Sequence, residues 1–198
     1  MKIASLRWIL LAAMACKSAP SERPEHELAA VRWVAPADTG PHGLAPGAQA
    51  RLVDSSPSGM KSYALILRRG DEVATALAEF ARRERVVNAH FDAIGAVVDP
   101  EVAWFDPAHG QYKGITRHEQ MEVLNLSGDI ALADNDQPVV HAHVVLGASD
   151  GSSWGGHLLR ATVSPTLEVF VTSFPDALHK KLDPETGLQL IDLSIVAP

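Results

Sequence analysis

"VVHAHVVLGASDGSSWGGHLLRATV", residues 139–163, predicts a β-hairpin. Residues 139–147 form an apolar run rich in β-branched side chains, which is typical of a strand. The turn residues "GASDGSS" follow, and a second apolar run covers 156–163. If the hairpin is centred near Asp150, residues whose numbers sum to 300 lie opposite one another, so His143 faces His157.

Three histidines belong to this hairpin. His141 and His143 are two residues apart on one strand, so their side chains point to the same face, and His157 comes from the returning strand. The spacing therefore favours a shared metal site, because imidazole nitrogens are good ligands for zinc, copper, nickel or iron. A shift of one residue in the register would instead send His157 to the other face, and the histidines would then be packing residues. The other histidines, including His90, His109 and His118, are scattered and are interpreted as surface or packing residues.

The flanking sequence predicts further short strands and one long helix. The helix is expected over 70–85, where apolar residues recur at helical spacing, acidic residues come first and arginines come last. Turn or break signals such as "DP" and "SP" separate the strands. A helical turn or two is expected over 174–182. The strands are predicted at 63–68, 89–98, 101–106, 121–133, 139–147, 156–163 and 166–174. This order predicts an α+β fold with an antiparallel sheet and one main helix.

The start of the chain resembles an export signal. Lys2 and Arg7 precede an apolar run, and Cys16, the only cysteine, follows "AAMA". We therefore expect a signal peptide at 1–15 and acylation of Cys16 as the first mature residue, which would anchor the protein to a membrane of the cell envelope. Cleavage by a general signal peptidase, giving a secreted or periplasmic protein, and a cytoplasmic location are the alternatives. Residues 16–58, rich in Pro, Gly and Ala, are interpreted as a tether, with the folded domain at 59–193.

Charge argues against nucleic acid as a partner. The full chain carries a formal charge of −7, and from Met60 onward 11 basic residues stand against 19 acidic ones, a balance of −8. The sequence also has no Gly-rich phosphate loop and no His-Glu-x-x-His motif.

Several segments follow one another along the domain in a recognisable order: "YALILRRGDEVATALAEFA", "FDAIGAV", "EQMEVLNLSGDIAL", "VVHAHVVLG", "DGSSWGGHLL", "PTLEVFVT" and "DPETGLQLI". Together they resemble the plant-and-prokaryote conserved (PPC) domain family over about residues 60–193, and "HAHVVLG…GGHLL" is similar to its bacterial branch. The resemblance implies a compact antiparallel domain with one helix, assembled as a trimer. It also implies a metal held by His141, His143 and His157, and we expect this to be a divalent ion, most simply zinc. The resemblance does not supply a fourth ligand, for which water and an acidic residue of a neighbouring chain are the candidates.

Three functional hypotheses follow. The first is a trimeric zinc-binding module that binds or senses a ligand at the cell envelope. The second is a metal-dependent enzyme of unknown substrate, because three histidines with an open fourth position are typical of catalytic zinc. The third is the DNA association that the family label suggests. It is disfavoured by the acidic charge, the export signal and the lack of the Arg-Gly-Arg-Pro-type AT-hook that holds DNA in plant members.

Overall fold

A computed structural model describes residues 31–195. The predicted signal peptide, Cys16 and the first part of the predicted tether lie outside the described residues. Within residues 31–195 no helix is long and apolar enough to cross a membrane.

The one α-helix among residues 31–195, α1, covers Val73–Glu84, inside the predicted range. The Glu72 side chain caps its first turn by accepting hydrogen bonds from the backbone N–H groups of Ala74 and Thr75. Arg85 ends it in the left-handed conformation, and the Arg85 N–H bonds to carbonyls of the last turn. The apolar face, which includes Leu77 and Phe80, is buried against the sheet.

Eight strands form one antiparallel sheet in the order β1-β5-β4-β6-β7-β8-β3-β2, and β9 and β10 form a separate pair. Because β8 also pairs with β4, strands β4, β6, β7 and β8 close into a ring. The strands are β1 Arg32–Val34, β2 Gln49–Ser55, β3 Lys61–Arg68, β4 Asn88–Asp106, β5 Gln111–Thr116, β6 Gln120–Leu132, β7 Pro138–Gly147, β8 Ser153–Ser173, β9 Lys180–Leu182 and β10 Gln189–Ile191. The core lies between this curved sheet and α1, so the predicted fold class is confirmed.

Two predicted breaks are wrong, because the sheet pairing continues through them. Residues 89–98 and 101–106 belong to a single strand, β4, which absorbs Asp99 at φ +49 with local shifts of register against β8. Residues 156–163 and 166–174 likewise belong almost entirely to β8, in which Pro165 lies between segments paired with β7 and with β3. Proline at these points removes one N–H donor, but the neighbouring residues keep the ladder.

The tether predicted for 16–58 extends too far along the chain. Gln49–Ser55 forms β2, a hairpin partner of β3, and Arg32–Val34 forms β1 beside β5. Most of β2 is exposed, so it lacks the alternating apolar pattern that marks a half-buried strand. Arg32 fastens β1 by a two-pronged ion pair with the buried Glu101, whose carboxylate oxygens lie 2.5 and 2.9 Å from Nε and Nη2.

Two further differences lie on either side of the hairpin. The strand β5 was not predicted, because "QYKGIT" is short and mixes polar with apolar residues. The helical turns predicted for 174–182 are absent from that segment, which bends and then forms β9. The bend is held by backbone bonds to other elements, such as Leu178 N–H to the carbonyl of Val87, rather than by local helical ones.

Candidate metal centre

The hairpin of β7 and β8 has the predicted register. His143 lies directly opposite His157, and His141 is two residues before His143 on the same face of β7. The ring centroids are 5.2 Å apart for His141 and His143, 5.2 Å for His141 and His157, and 5.5 Å for His143 and His157. Each ring offers a nitrogen that lies within 4.8 Å of the other two. No other cluster of three or more metal-ligating side chains occurs among residues 31–195.

These separations are somewhat wider than a bound ion requires. Zinc–nitrogen bonds of 2.0–2.1 Å at tetrahedral angles place the donor atoms about 3.4 Å apart. The donor nitrogens, which lie within 4.8 Å of one another, must therefore approach by up to about 1.4 Å. Small rotations of the side chains can supply this, because His141 and His143 are exposed and their strand is already aligned with β8. The residues present thus fit a divalent metal.

His157 is the most enclosed of the three rings. It stacks on Tyr112 with centroids 4.6 Å apart and planes 17° from parallel. Burial lowers the pKa of His157 to about 3, and repulsion from His141, His143 and Lys180 acts in the same direction. Its Nδ1 is buried and has no hydrogen-bond partner among the described residues. A half-buried imidazole that stays neutral and keeps an unsatisfied nitrogen is suited to coordinate a metal.

The other two rings have different surroundings. Burial, followed by repulsion from His141, lowers the pKa of His143. His141 instead has a carboxylate partner, with its Nδ1 3.1 Å from Oδ2 of Asp129. Asp129 lies directly opposite His141 in the β6–β7 ladder. A carboxylate behind a metal-binding histidine fixes the orientation of the ring and leaves the other nitrogen, Nε2, for the metal.

Asp129 is itself fixed by a buried lysine. Lys180 is only 2 % exposed, and its Nζ lies 2.6 Å from Oδ1 of Asp129. Desolvation raises the pKa of Asp129, but the bonds to His141 and Lys180 outweigh it, so the pKa is lowered and the carboxylate stays ionised. The chain Lys180–Asp129–His141 therefore extends from the core to the histidine cluster.

A pocket of about 870 Å³ opens beside the histidines. All three imidazoles line it, together with Tyr112 and Asp129. Its size is within the range of about 300–1,000 Å³ that is usual for small-molecule sites.

The other histidines predicted to be surface or packing residues do not join the cluster. His90, His109 and His118 are exposed and pair with Asp92, Asp106 and Asp99 at 2.8, 2.6 and 3.1 Å. His109 also lies 5.1 Å from Trp33, measured between ring centroids.

Sequence reasoning missed Asp129, Tyr112 and Lys180. Asp129 had a detectable signal, because a β6–β7 hairpin centred near residue 135 pairs residues whose numbers sum to 270, among them 129 and 141. Tyr112 lies on the unpredicted strand β5, and Lys180 lies where helical turns were expected. Neither residue carries a local pattern that connects it to the hairpin.

Comparison with known families matches residues 54–175 to the Plants and Prokaryotes Conserved (PCC) domain. Comparison with curated proteins gave no match.

Solved structures share the fold over most of the chain. A PPC protein from Pyrococcus horikoshii is 26% identical, with a TM-score of 0.63, and the alignment covers 74% of this chain and 97% of that one. A metal-containing protein from Archaeoglobus fulgidus is 31% identical, with a TM-score of 0.62 and coverages of 73% and 96%. A Bacteroides thetaiotaomicron protein, provisionally named DNA-binding, is 27% identical, with a TM-score of 0.66 and coverages of 72% and 96%.

Proposed function

The chain belongs to the Plants and Prokaryotes Conserved domain family, and from that premise we propose that it is a zinc-binding module of the cell envelope that assembles as a trimer. The observation that carries the metal is the convergence of His141, His143 and His157, whose donor nitrogens lie within 4.8 Å of one another. The metal-containing relative from Archaeoglobus fulgidus supports the same reading.

The surroundings of the histidines favour a bound divalent ion over simple packing. The lowered pKa values of His143 and His157 keep those rings in the neutral form that a metal requires. Asp129 orients His141 through Nδ1, as carboxylates do behind metal-binding histidines. Three nitrogen ligands suit zinc, while copper, nickel and iron are alternatives that metal analysis separates.

Metal analysis of purified protein variants tests the site. The wild type should carry roughly one zinc per chain, and His143→Ala should lose most of it because only two donors remain. His109→Ala and His118→Ala are matched controls, since both residues are exposed, paired with a single aspartate and remote from the cluster. Metal at the same level in His143→Ala and wild type would refute the site.

A metal-dependent enzyme is a second candidate, favoured by the pocket beside the histidines. When bound, zinc with an open position supplies Lewis-acid polarisation and lowers the pKa of a coordinated water. The side chains of this pocket that could act as a general base, however, are not free to do so. Asp129 bonds to His141 and Lys180, and burial raises the pKa of Tyr112 so that its hydroxyl stays protonated. Among the described lining residues none is an uncommitted carboxylate base, which favours ligand binding over hydrolysis.

DNA binding finds no support in the charge of this domain. The balance of −8 from Met60 onward repels a phosphate backbone, and non-specific DNA affinity depends on basic residues. The proposed envelope location also argues against DNA binding, because a lipid-anchored protein outside the cytoplasm does not meet the chromosome.

A further inference from the structure

The pocket beside the histidines is walled partly by segments outside the family match of 54–175. On one side lies the loop around the short 3₁₀ turn Pro36–Asp38, which reaches the pocket through residues up to Pro41. On another lies the stretch Leu188–Ile191, which includes β10. The shape of this pocket is therefore set by parts of the chain that the common domain does not include.

Apart from the histidine end, these walls are mainly apolar. Helix α1 contributes Ala74, strand β7 contributes Val139, and the two terminal segments contribute Pro41 and Leu190. Water gains few hydrogen bonds against such surfaces, so an apolar group is the favoured occupant of this part of the pocket.

The charged side chains that line the pocket give it a net positive charge. Arg82 and Lys180 are positive and Asp129 is negative, which gives a balance of +1 before any metal is counted. Lys180 and Asp129 largely neutralise each other at 2.6 Å. Arg82 has an exposed side chain without a carboxylate in ion-pair distance among residues 31–195. A divalent ion on three neutral imidazoles adds two further positive charges, so the histidine end attracts an anion.

We infer that the pocket binds a small carboxylic acid with an apolar body. The carboxylate lies at the histidine end, within the positive field of the metal and Arg82, and the hydrocarbon body lies against α1 and the terminal segments. This inference rests on the proposed function, because the metal supplies most of the positive charge. A carboxylate fits better than a phosphate ester, since the pocket offers only one arginine and no Gly-rich loop of N–H donors.

Calorimetric titration of the zinc-loaded full chain with hexanoate, acetate and hexanol tests the inference. Hexanoate should bind on the order of tenfold or more tightly than acetate, because its extra methylene groups leave water. It should also bind more tightly than hexanol, which has the body without the charge. Equal affinities for the three probes would overturn the inference.

Substitutions in the pocket test where the carboxylate and the hydrocarbon body of the ligand lie. Arg82→Gln should weaken the binding of hexanoate by only about threefold, because solvent screens the exposed charge that is lost. Arg83→Gln is the matched control, because Arg83 is on the same helical turn, pairs with Glu84 at 3.1 Å and does not line the pocket. Equal effects of the two substitutions would contradict the assigned role of Arg82.

Filling the apolar part of the pocket with a larger side chain should bring the ratio of the affinities for hexanoate and acetate close to one. A Cβ added at Gly40, which lines the pocket, meets no atom within 4 Å, so Gly40→Phe is accommodated without a clash at the backbone. Ala74→Phe, on the α1 wall, is a second filling variant. Zinc content of each variant is measured first. Uptake of zinc by the wild type without a preference for hexanoate overturns this inference alone, whereas failure to take up zinc overturns the proposed function as well.

Discussion

Asp129 Oδ2 lies 3.1 Å from Nδ1 of His141, directly across the β6–β7 ladder. This contact connects the histidine cluster to the core, because the other carboxylate oxygen of Asp129 contacts the buried Lys180. Strand pairing fixes the positions of both backbones, so the orientation of the imidazole does not depend on a mobile loop.

Replacing Asp129 should reduce the affinity for the metal through His141, while His143 and His157 change little. Asp129→Asn keeps the size of the side chain but removes the charge that increases the basicity of His141, and loss of such a partner typically costs 10–100-fold in metal affinity. Competition with a zinc chelator measures the change. Asp99→Asn is the control, since Asp99 pairs with His118 at 3.1 Å and neither residue lines the pocket, so zinc affinity should be unchanged. Matching affinities for the two variants would contradict the role of Asp129.

The histidine site was predictable to the extent that hairpin symmetry determines it. A turn centred near Asp150 brings His143 opposite His157, and a turn centred near residue 135 brings Asp129 opposite His141. Both pairs follow from local geometry, because a β-hairpin relates residues by a constant sum of their numbers.

The rest of the site depends on contacts between distant parts of the chain. Tyr112 reaches His157 because β5 and β8 both pair with β4, and Lys180 reaches Asp129 after the chain has left β8. The pocket walls come from segments 36–41 and 188–191, a short turn and a short strand, and neither sequence indicates which part of the fold it packs against. A single sequence does not specify such long-range packing.

Zinc should remain bound below the ordinary histidine pKa of about 6.5. Protons compete with a metal only below the pKa of each ligand, and the pKa values of His143 and His157 are lowered, that of His157 to about 3. Equilibrium dialysis at fixed free zinc, from pH 7 to pH 4, should place half-release below 6.5. Half-release at or above that pH would contradict the neutral state assigned to these rings.

The metal-free protein should be acid-sensitive in the same window. The folded state lowers the pKa of His157, so the unfolded chain binds the additional proton. Stability from the neutral ring is therefore complete above about pH 6.5 and is lost as the pH falls from there towards 3. Urea unfolding of His157→Phe, which can retain stacking on Tyr112, should depend less on pH than that of the wild type. Identical pH profiles would contradict this assignment.

We expect the exposed outer face of strands β3, β4 and β8 to mediate trimer assembly. Ile66, Ile94 and Phe170 lie on adjacent strands β3, β4 and β8 and are 37%, 59% and 61% exposed. They flank the exposed Glu168, which lies opposite both isoleucines, so the outer face of the sheet carries a largely apolar patch with one carboxylate. Light scattering should give the mass of three chains for the wild type and a smaller mass for Phe170→Glu. Leu193→Glu is the control, because Leu193 is more exposed, at 81%, and lies outside the sheet. A wild-type mass of one chain at micromolar concentration would refute the trimer.

Acylation of Cys16 is tested independently of the folded domain. Cells fed labelled palmitate should incorporate it into the wild-type protein and not into Cys16→Ser, because Cys16 is the only thiol in the chain. The wild type should fractionate with membranes, since a diacylated cysteine supplies two hydrocarbon chains. The same soluble behaviour of both proteins in the cytoplasm would disprove the anchor.

Removing Lys180 should destabilise the fold as well as the site. Its side chain is 2% exposed and its Nζ lies 2.6 Å from Asp129, so Lys180→Ala leaves a partly buried carboxylate without its cation. Breaking a buried pair from one side typically costs about 3–5 kcal/mol, and the low end applies because Asp129 keeps its bond to His141 and is a quarter exposed. Urea unfolding at a fixed protein concentration measures the loss. Lys181→Ala, at the exposed neighbouring position, should change stability by no more than about 0.5 kcal/mol. Comparable losses in the two variants would show that the pair between Lys180 and Asp129 does not support the fold.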